Sequence, residues 1–169
     1  MLWTEKYRPK TLRDVKGQEH FVLDAELWIE EKNMPNVLLY GNAGCGKTAA
    51  GLALAKTMLG EYAKDNFVEV NASDDRRLEV VRTTIKNIAQ SGTIGDVPFR
   101  ICLLDEMDGM TTDAQNALKR IMERYSGNIR FIITCNDKSK IIYPLQSRCA
   151  NYHFKPLSNE VILEVIKGI

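Results

Sequence analysis

The sequence predicts an α/β fold in which a mainly parallel five-stranded sheet lies between layers of helices. Three observations predict it. Five apolar runs too short for ordinary helices punctuate the chain, segments with helical periodicity separate them, and a glycine-rich turn joins the first run to the first helical segment. In such a sheet ligands collect at the carboxyl ends of the strands, so the residues directly after each run carry the functional information.

The first run is Val37–Tyr40. The segment after it, Gly41-Asn42-Ala43-Gly44-Cys45-Gly46-Lys47-Thr48, has the pattern G-x-x-x-x-G-K-[ST] of a phosphate-binding loop. Its glycines let several backbone N–H groups converge on one anion, and the helix that follows, Thr48–Leu59, adds the positive end of its dipole. Lys47 is spaced to reach the β- and γ-phosphates of a nucleotide, and the Thr48 hydroxyl to hold Mg²⁺.

The second run, Phe67–Val70, leads through Asn71 to a helix over Arg77–Gln90, where Leu78, Val81, Ile85 and Ile88 recur at helical spacing. The third, Ile101–Leu104, ends in the acids Asp105 and Glu106. A helix over Thr112–Tyr125 follows, with Ala114, Leu118, Ile121 and Tyr125 on one face. The fourth run, Phe131–Cys135, ends in Asn136, and the fifth is Tyr152–Phe154. The first four are nearly continuous in apolar or β-favouring residues, as expected of strands covered on both faces. Lys155-Pro156-Leu157-Ser158 then reads as a connection, with Ser158 capping a helix that carries Val161, Ile162, Val165 and Ile166. A helix that short needs something to pack against, so the chain reads as one domain of a longer protein.

Bulk properties narrow the function. At 169 residues and 44% hydrophobic, the chain builds one sizeable core. A formal net charge of +1 gives no global field toward nucleic acid or membrane, so any such contact comes from a local patch. No apolar run approaches the ~20 residues of a membrane helix, and MLWTEKYRPK lacks the apolar centre of a secretory signal. Cys45, Cys102, Cys135 and Cys149 form no C-x-x-C pair and match neither zinc spacing nor a disulfide framework, the profile of a reducing compartment.

In a phosphate-loop protein Asp105 would hold the Mg²⁺ shell and Glu106 would polarise the attacking water as general base. Elsewhere two such acids at a strand end are solvated turn residues. Asn136 could hydrogen-bond the γ-phosphate or the attacking water, or simply form a turn.

Further motifs stand in order along the chain. Trp3-Thr4-Glu5-Lys6-Tyr7-Arg8-Pro9 looks like the W-x-E-K-Y-R-P box of clamp-loader ATPases, and Gly17-Gln18 like the G-Q element after it. Asn71-Ala72-Ser73-Asp74-Asp75-Arg76 resembles the N-A-S-D-[DE]-R box, and Ser147-Arg148-Cys149 the S-R-C motif. From Trp3 to about Leu157 the chain resembles the replication factor C small-subunit family, sliding-clamp loaders of the AAA+ class. The resemblance implies a three-layer P-loop NTPase (AAA+) domain over residues 1–157, with 158–169 as the truncated start of a helical lid domain. It implies an ATPase: a subunit that binds and hydrolyses ATP with Mg²⁺ so that a clamp loader opens the sliding clamp and places it on primed double-stranded DNA. Its other partners would be further clamp-loader subunits, in a hetero-pentamer of full-length chains. No membrane partner is implied, and the compartment would be cytoplasmic in an archaeon or nuclear in a eukaryote.

Carried over by position, the resemblance puts Tyr7, Arg8, Pro9, Val15 and Gln18 on the adenine side. Asn42, Ala43, Gly44, Cys45, Gly46, Lys47, Thr48 and Ala49 form the loop around the phosphates, and Thr48 and Asp105 hold the metal. Lys47, Glu106, the γ-phosphate sensor Asn136 and the arginine finger Arg148 form the catalytic set, with Arg148 acting on ATP held by a neighbouring subunit. A planar, permanently charged guanidinium suits the charge on a transferring phosphoryl group. The sequence departs from the family at Asn42-Ala43, where Pro-Pro or Pro-Gly is usual, at D-E-M-D in place of D-E-A-D, and at Arg77 in place of Gly. The second sensor arginine of the lid and the helical collar are not in it.

Arg76, Arg77, Arg82 and Lys86 load one helix with positive charge. Read alone they form a solvated amphipathic face; the resemblance makes them grips for successive DNA phosphates, without base readout. Asn71 is expected either to hold Glu106 inactive until DNA moves this helix or merely to cap or turn the chain. Met107, Met110, Ala114, Ala117, Leu118, Ile121 and Met122 offer soft apolar groups, as core or as a surface for the clamp. Two other readings stand beside the clamp loader. One is another AAA+ DNA motor such as a branch-migration helicase; the other is a nucleotide-binding assembly module without hydrolysis.

Overall fold

Alternation of strand and helix produces a three-layer α/β sandwich in the computed structural model, which describes residues 2–73 and 78–169, without the side chains of Thr4, Leu78, Val80 and Val81. The elements in order are α1 (Trp3–Lys6), α2 (Glu19–Glu31), β1 (Asn36–Tyr40), α3 (Lys47–Leu59), α4 (Ala63–Asn66), β2 (Phe67–Asn71), α5 (Leu78–Gln90), β3 (Arg100–Asp105), α6 (Thr112–Arg124), β4 (Ile129–Cys135), α7 (Tyr143–Ser147), β5 (Cys149–His153) and α8 (Asn159–Lys167). The five strands are all parallel, in the order β2-β3-β4-β1-β5.

Side chains alternate across the sheet, and each face has its own core. Val37, Leu39, Ile101, Leu103 and Ile132 pack with α2 and α3 on one face. Leu38, Cys102, Leu104, Phe131 and Ile133 pack with α5 and α6 on the other. This is why β1, β3 and β4 read as unbroken apolar runs. β2 corrects the expectation of cover on both faces. It is an edge strand, and its residues are only half-buried or exposed. β5, the other edge, starts earlier than expected because Cys149, Ala150 and Asn151 give little apolar signal. Phe154 lies just past it, fully buried, with its ring centroid 5.5 Å from that of Phe21 on α2.

α2 is not anticipated from the sequence. It buries Phe21 and Ala25 and leaves Leu23 and Leu27 exposed, so its periodicity is diluted. α8 forms as its cap predicts, the Ser158 hydroxyl accepting from Val161 N at 3.3 Å. Its apolar face is largely uncovered: Ile162, Leu163, Val165 and Ile166 are all exposed.

Strand register places the functional rim. Tyr40 pairs with Cys135 and His153, Leu104 with Ile133, and Asn71 with Asp105. The segments after all five strands therefore emerge along one edge of the sheet.

Candidate active site at the carboxyl ends of the strands

The loop after β1 is held by its backbone at both neighbouring strands. Gly41 N donates to Cys135 O at 3.3 Å, and Phe154 N to Tyr40 O at 2.7 Å. A Cβ on Gly41 would stand 2.2 Å from Phe154 O, so only glycine fits where β5's exit passes the loop. Gly46 caps α3 with no side-chain bond, leaving the amides of the first turn to serve an anion. Lys47 is 7% exposed, and its Nζ donates to Gly41 O at 2.8 Å and Asn42 O at 2.7 Å. Asn42, Ala43 and Gly44 are exposed at the loop's outer turn, Cys45 is buried, and Ala49 is half-buried within α3.

β3 delivers Asp105 beside that helix start. Thr48 Oγ1 donates to Asp105 Oδ1 at 2.7 Å, and Thr134 Oγ1, from β4, donates to the same oxygen at 2.6 Å. Thr134 in turn accepts from Glu106 N at 3.0 Å. One buried hydroxyl thus joins the two acids. Thr48 and Asp105 offer hard oxygen donors of the kind Mg²⁺ takes. Among the described residues no group of three or more His, Cys, Asp or Glu could hold a metal ion.

Glu106 is in the left-handed region, with φ 56° and ψ 49°, at the head of a turn over Met107–Gly109. Non-glycine residues held there are strained, and such strain gathers at functional sites. Its Oε2 accepts from Ser73 Oγ at 3.1 Å, while that hydroxyl lies 2.6 Å from Asn71 Oδ1. The expected contact between Asn71 and Glu106 is thus corrected: it runs through Ser73, whose single proton serves one acceptor at a time.

Asn136 is exposed directly after β4. Its backbone N donates to Asp108 Oδ2 at 2.9 Å, and Asp137 N to the same oxygen at 3.1 Å. Gln18 is 1% exposed and clamps the segment after β5 from both sides. Its Nε2 donates to Lys155 O at 2.8 Å, and its Oε1 accepts from Lys155 N at 3.3 Å. Val15 packs on the core cluster that contains Cys45. Tyr7 stacks edge-on with Trp3 and lies under Lys6 Nζ; no described contact joins Tyr7, Arg8 or Pro9 to the loop.

Arg148 is far from this cluster. It precedes Cys149, which pairs with Asn36 at the opposite end of the sheet. There it pairs with Glu123 of α6 and donates from Nη1 to Pro144 O at 3.0 Å. Arg82 and Lys86 line a groove of about 520 Å³ between α5 and α6, together with Arg120 and Arg124. Arg82 also pairs with Glu79 at 3.4 Å. Arg76 and Arg77 lie outside the described residues. Met107, Met110, Ala114, Leu118 and Met122 are core, which removes them as a clamp-facing surface; Ala117 is buried where it lines the groove, and Ile121 packs partly buried against the same core.

Sequence reading missed Ser73, Asp108, Thr134, Arg120 and Arg124. Thr134 is a lone hydroxyl in a buried apolar strand, and Arg120 and Arg124 stand four apart on α6; both signals were there to read. All four cysteines are free, and burial pushes the thiols of Cys102, Cys135 and Cys149 up to about 12.

The family described as "ATPase family associated with various cellular activities (AAA)" matches residues 37–157. The replication factor C small subunit of Methanothermobacter thermautotrophicus is 52% identical over 167 residues, covering 99% of this chain and 52% of that protein. That of Methanococcus maripaludis is 50% identical over 167 residues, covering 99% and 53%. That of Archaeoglobus fulgidus is 50% identical over 161 residues, covering 95% and 50%. The chain spans about half the length of the curated relatives it matches. Among solved structures, the Thermotoga maritima RuvB Holliday junction branch migration motor superposes with a TM-score of 0.74 at 20% identity, over 95% of this chain and 53% of that one, a likeness of fold. The phosphate-binding loop, both acids and Asn136 all fall inside the matched segment, and the chain belongs to the ATPase family associated with various cellular activities (AAA).

Proposed function

We propose that the chain is the ATP-binding and ATP-hydrolysing domain of a DNA sliding-clamp loader subunit, in a machine that opens the clamp and places it on primed DNA. The observation that carries the chemistry is the placement of Thr48 and Thr134 on one oxygen of Asp105, at 2.7 and 2.6 Å. It holds the metal-side carboxylate against the loop, the kind of fixed geometry that phosphoryl transfer needs. The clamp-loader setting is supported by about 50% identity to replication factor C small subunits.

In this reading Gly44, Gly46 and the first amides of α3 cradle the phosphates. Lys47 trades its two carbonyl partners for β- and γ-phosphate oxygens. Thr48 and Asp105 would hold Mg²⁺, which supplies charge neutralisation at the phosphates. Glu106 takes a proton from the attacking water, and Asn136 orients the γ-phosphate. Tyr7, Arg8, Pro9, Val15 and Gln18 enclose the adenine. Ser73, shared between Asn71 and Glu106, offers a route by which DNA bound beyond the box tunes the base. Arg148 serves the nucleotide of the adjoining subunit.

Arg82, Lys86, Arg120 and Arg124 around one groove, continued by Arg76 and Arg77 in sequence, suit a duplex phosphate backbone. Residues 158–169 begin a helical lid. The partners would be the sliding clamp, primed DNA and the other subunits of a hetero-pentamer. Among the described residues no helix is long and apolar enough to cross a membrane. With archaeal relatives, a cytoplasmic setting fits.

The test is ATP hydrolysis by the full-length subunit in its loader, with and without clamp and primed DNA. Strong stimulation by both, lost in Arg148→Ala, is the expected result. Hydrolysis indifferent to the clamp would point to another AAA+ motor, and binding without hydrolysis to an assembly module.

A further inference from the structure

We propose that Asp108 is a positioning residue that locks the Asn136 loop to the turn carrying Glu106, so that γ-phosphate sensing and water activation move as one piece. The inference rests on the hydrolytic reading above and goes beyond it in naming a residue outside the nucleotide's own contacts.

The turn Met107–Gly109 is gripped on three sides. Met107 is fully buried and anchors it in the core. Gly109 lies against the segment after β2, where an added Cβ would come within 3.0 Å of Ser73 Cα. On the opposite side Asp108 Oδ2 accepts from Asn136 N at 2.9 Å and Asp137 N at 3.1 Å. Both are charge-assisted bonds to backbone, the kind that fixes a main chain. The loop beyond is itself closed, since Asp137 Oδ1 accepts from Ser139 N at 3.0 Å and Ser139 Oγ at 2.7 Å. Residues 136–140 are therefore a compact unit whose side-chain tie to the Glu106 turn is Asp108. Glu106, one end of that turn, is itself tied to Ser73 at 3.1 Å and through Thr134 to Asp105. A shift of Asn136 on meeting a γ-phosphate is carried by Asp108 into the turn that sets Glu106, and a shift at Ser73 runs the other way.

Three substitutions in the full-length protein test this. Asp108→Ala removes the acceptor. Asp108→Glu keeps the charge but moves the oxygens by about one carbon–carbon bond, ~1.5 Å. Asp108→Asn keeps one carbonyl oxygen able to take both bonds. The readouts are ATP and ADP affinities, by displacement of a fluorescent nucleotide, and steady-state turnover in the assembled loader. Ala and Glu should each lower turnover by roughly 10-fold or more, the scale seen when a supporting shell is removed, and reduce the preference for ATP over ADP. Asn should restore most of both. In an Asn136→Ala background Asp108→Ala should add less than about 2-fold, because residues acting as a unit are not additive. Unchanged ATP preference and turnover in Asp108→Glu, or full additivity with Asn136→Ala, overturns the proposal while leaving hydrolysis intact. Should the parent show no turnover, or Asn136→Ala change nothing, the sensor reading itself falls and this inference with it.

Discussion

Thr134 and Asp105, on neighbouring strands, meet at 2.6 Å, and the threonine's other role is to accept the backbone N–H of Glu106 at 3.0 Å. Thr134 is 2% exposed. Thr134→Val keeps the shape and β-branching but leaves the Glu106 N–H without its acceptor. We expect a loss of about 1 kcal/mol in stability, the net worth of a typical hydrogen bond, read as a lower urea midpoint. Turnover should fall too, because the main chain of Glu106 loses its anchor. Thr134→Ser, which retains the hydroxyl, should recover turnover more than stability.

The left-handed backbone of Glu106 separates stability from activity. Glycine adopts φ 56° without a Cβ penalty, so Glu106→Gly should raise stability by up to about 1 kcal/mol while abolishing turnover. Glu106→Gln keeps the strain and should leave the denaturation midpoint near the parent's. It should bind ATP and fail to turn it over. Thermal melts beside nucleotide binding check both. A Gly variant less stable than the parent would mean that the Ser73 contact outweighs the strain.

Much of this arrangement is legible in the sequence, because the two sides of the sheet impose a short period on the strands and the loop needs glycines at fixed offsets. Val37–Tyr40 with Gly41–Thr48 marks β1, the loop and α3 by pattern alone. Asp105 and Glu106 stand out after an apolar run only because a phosphate-binding loop precedes them, and Asn136 stands out only through the family resemblance. Relations between strands are not written in that way. Nothing local to Thr134 says that register sets it beside Asp105, or that Asp108 faces the loop after β4, since both depend on which strands are neighbours. α2 was missed because Leu23 and Leu27 point outward and blur its apolar stripe. The edge position of β2 is likewise a property of strand order.

Asp14 supplies a pH dependence. Its Oδ2 accepts from Thr11 N at 2.9 Å, Thr11 Oγ1 at 3.0 Å and Lys10 N at 3.1 Å, forming a cap on the turn Leu12–Asp14. The Thr11 backbone bond, above all, holds its carboxyl below the ordinary value, which is about 3.9. A carboxyl depressed in the folded state favours folding above its unfolded pKa, and that contribution disappears as the pH falls through the folded value. Asp14→Ala should therefore be less stable than the parent at pH 7, and the gap should close progressively below about pH 4. Denaturation midpoints across pH 2.5 to 7, all roughly spaced by the carboxylate titration, read this directly. A gap that persists unchanged in acid would assign the loss to packing.

Arg148 cannot serve the loop of its own chain. It stands before Cys149, opposite Asn36, whereas the loop leaves β1 after Tyr40, opposite His153. At ~3.3 Å per residue a strand of this length puts more than about 13 Å between the two ends. Its guanidinium is turned instead toward Glu123 on α6. An arginine at one end of the sheet and a loop at the other fit the proposed head-to-tail assembly, in which each site would be built by two subunits. The expectation is complementation. Arg148→Ala subunits keep an intact loop and Glu106, and Glu106→Gln subunits keep an intact arginine. Each alone should be nearly silent in turnover, with nucleotide binding retained. Mixed before assembly in equal amounts, they should regain turnover, with about one quarter of the interfaces between two copies of this subunit joining an intact loop to an intact arginine under random head-to-tail order. A mixture as silent as its components would show that the arginine does not act across the interface, and its pairing with Glu123 would then be a matter of folding alone.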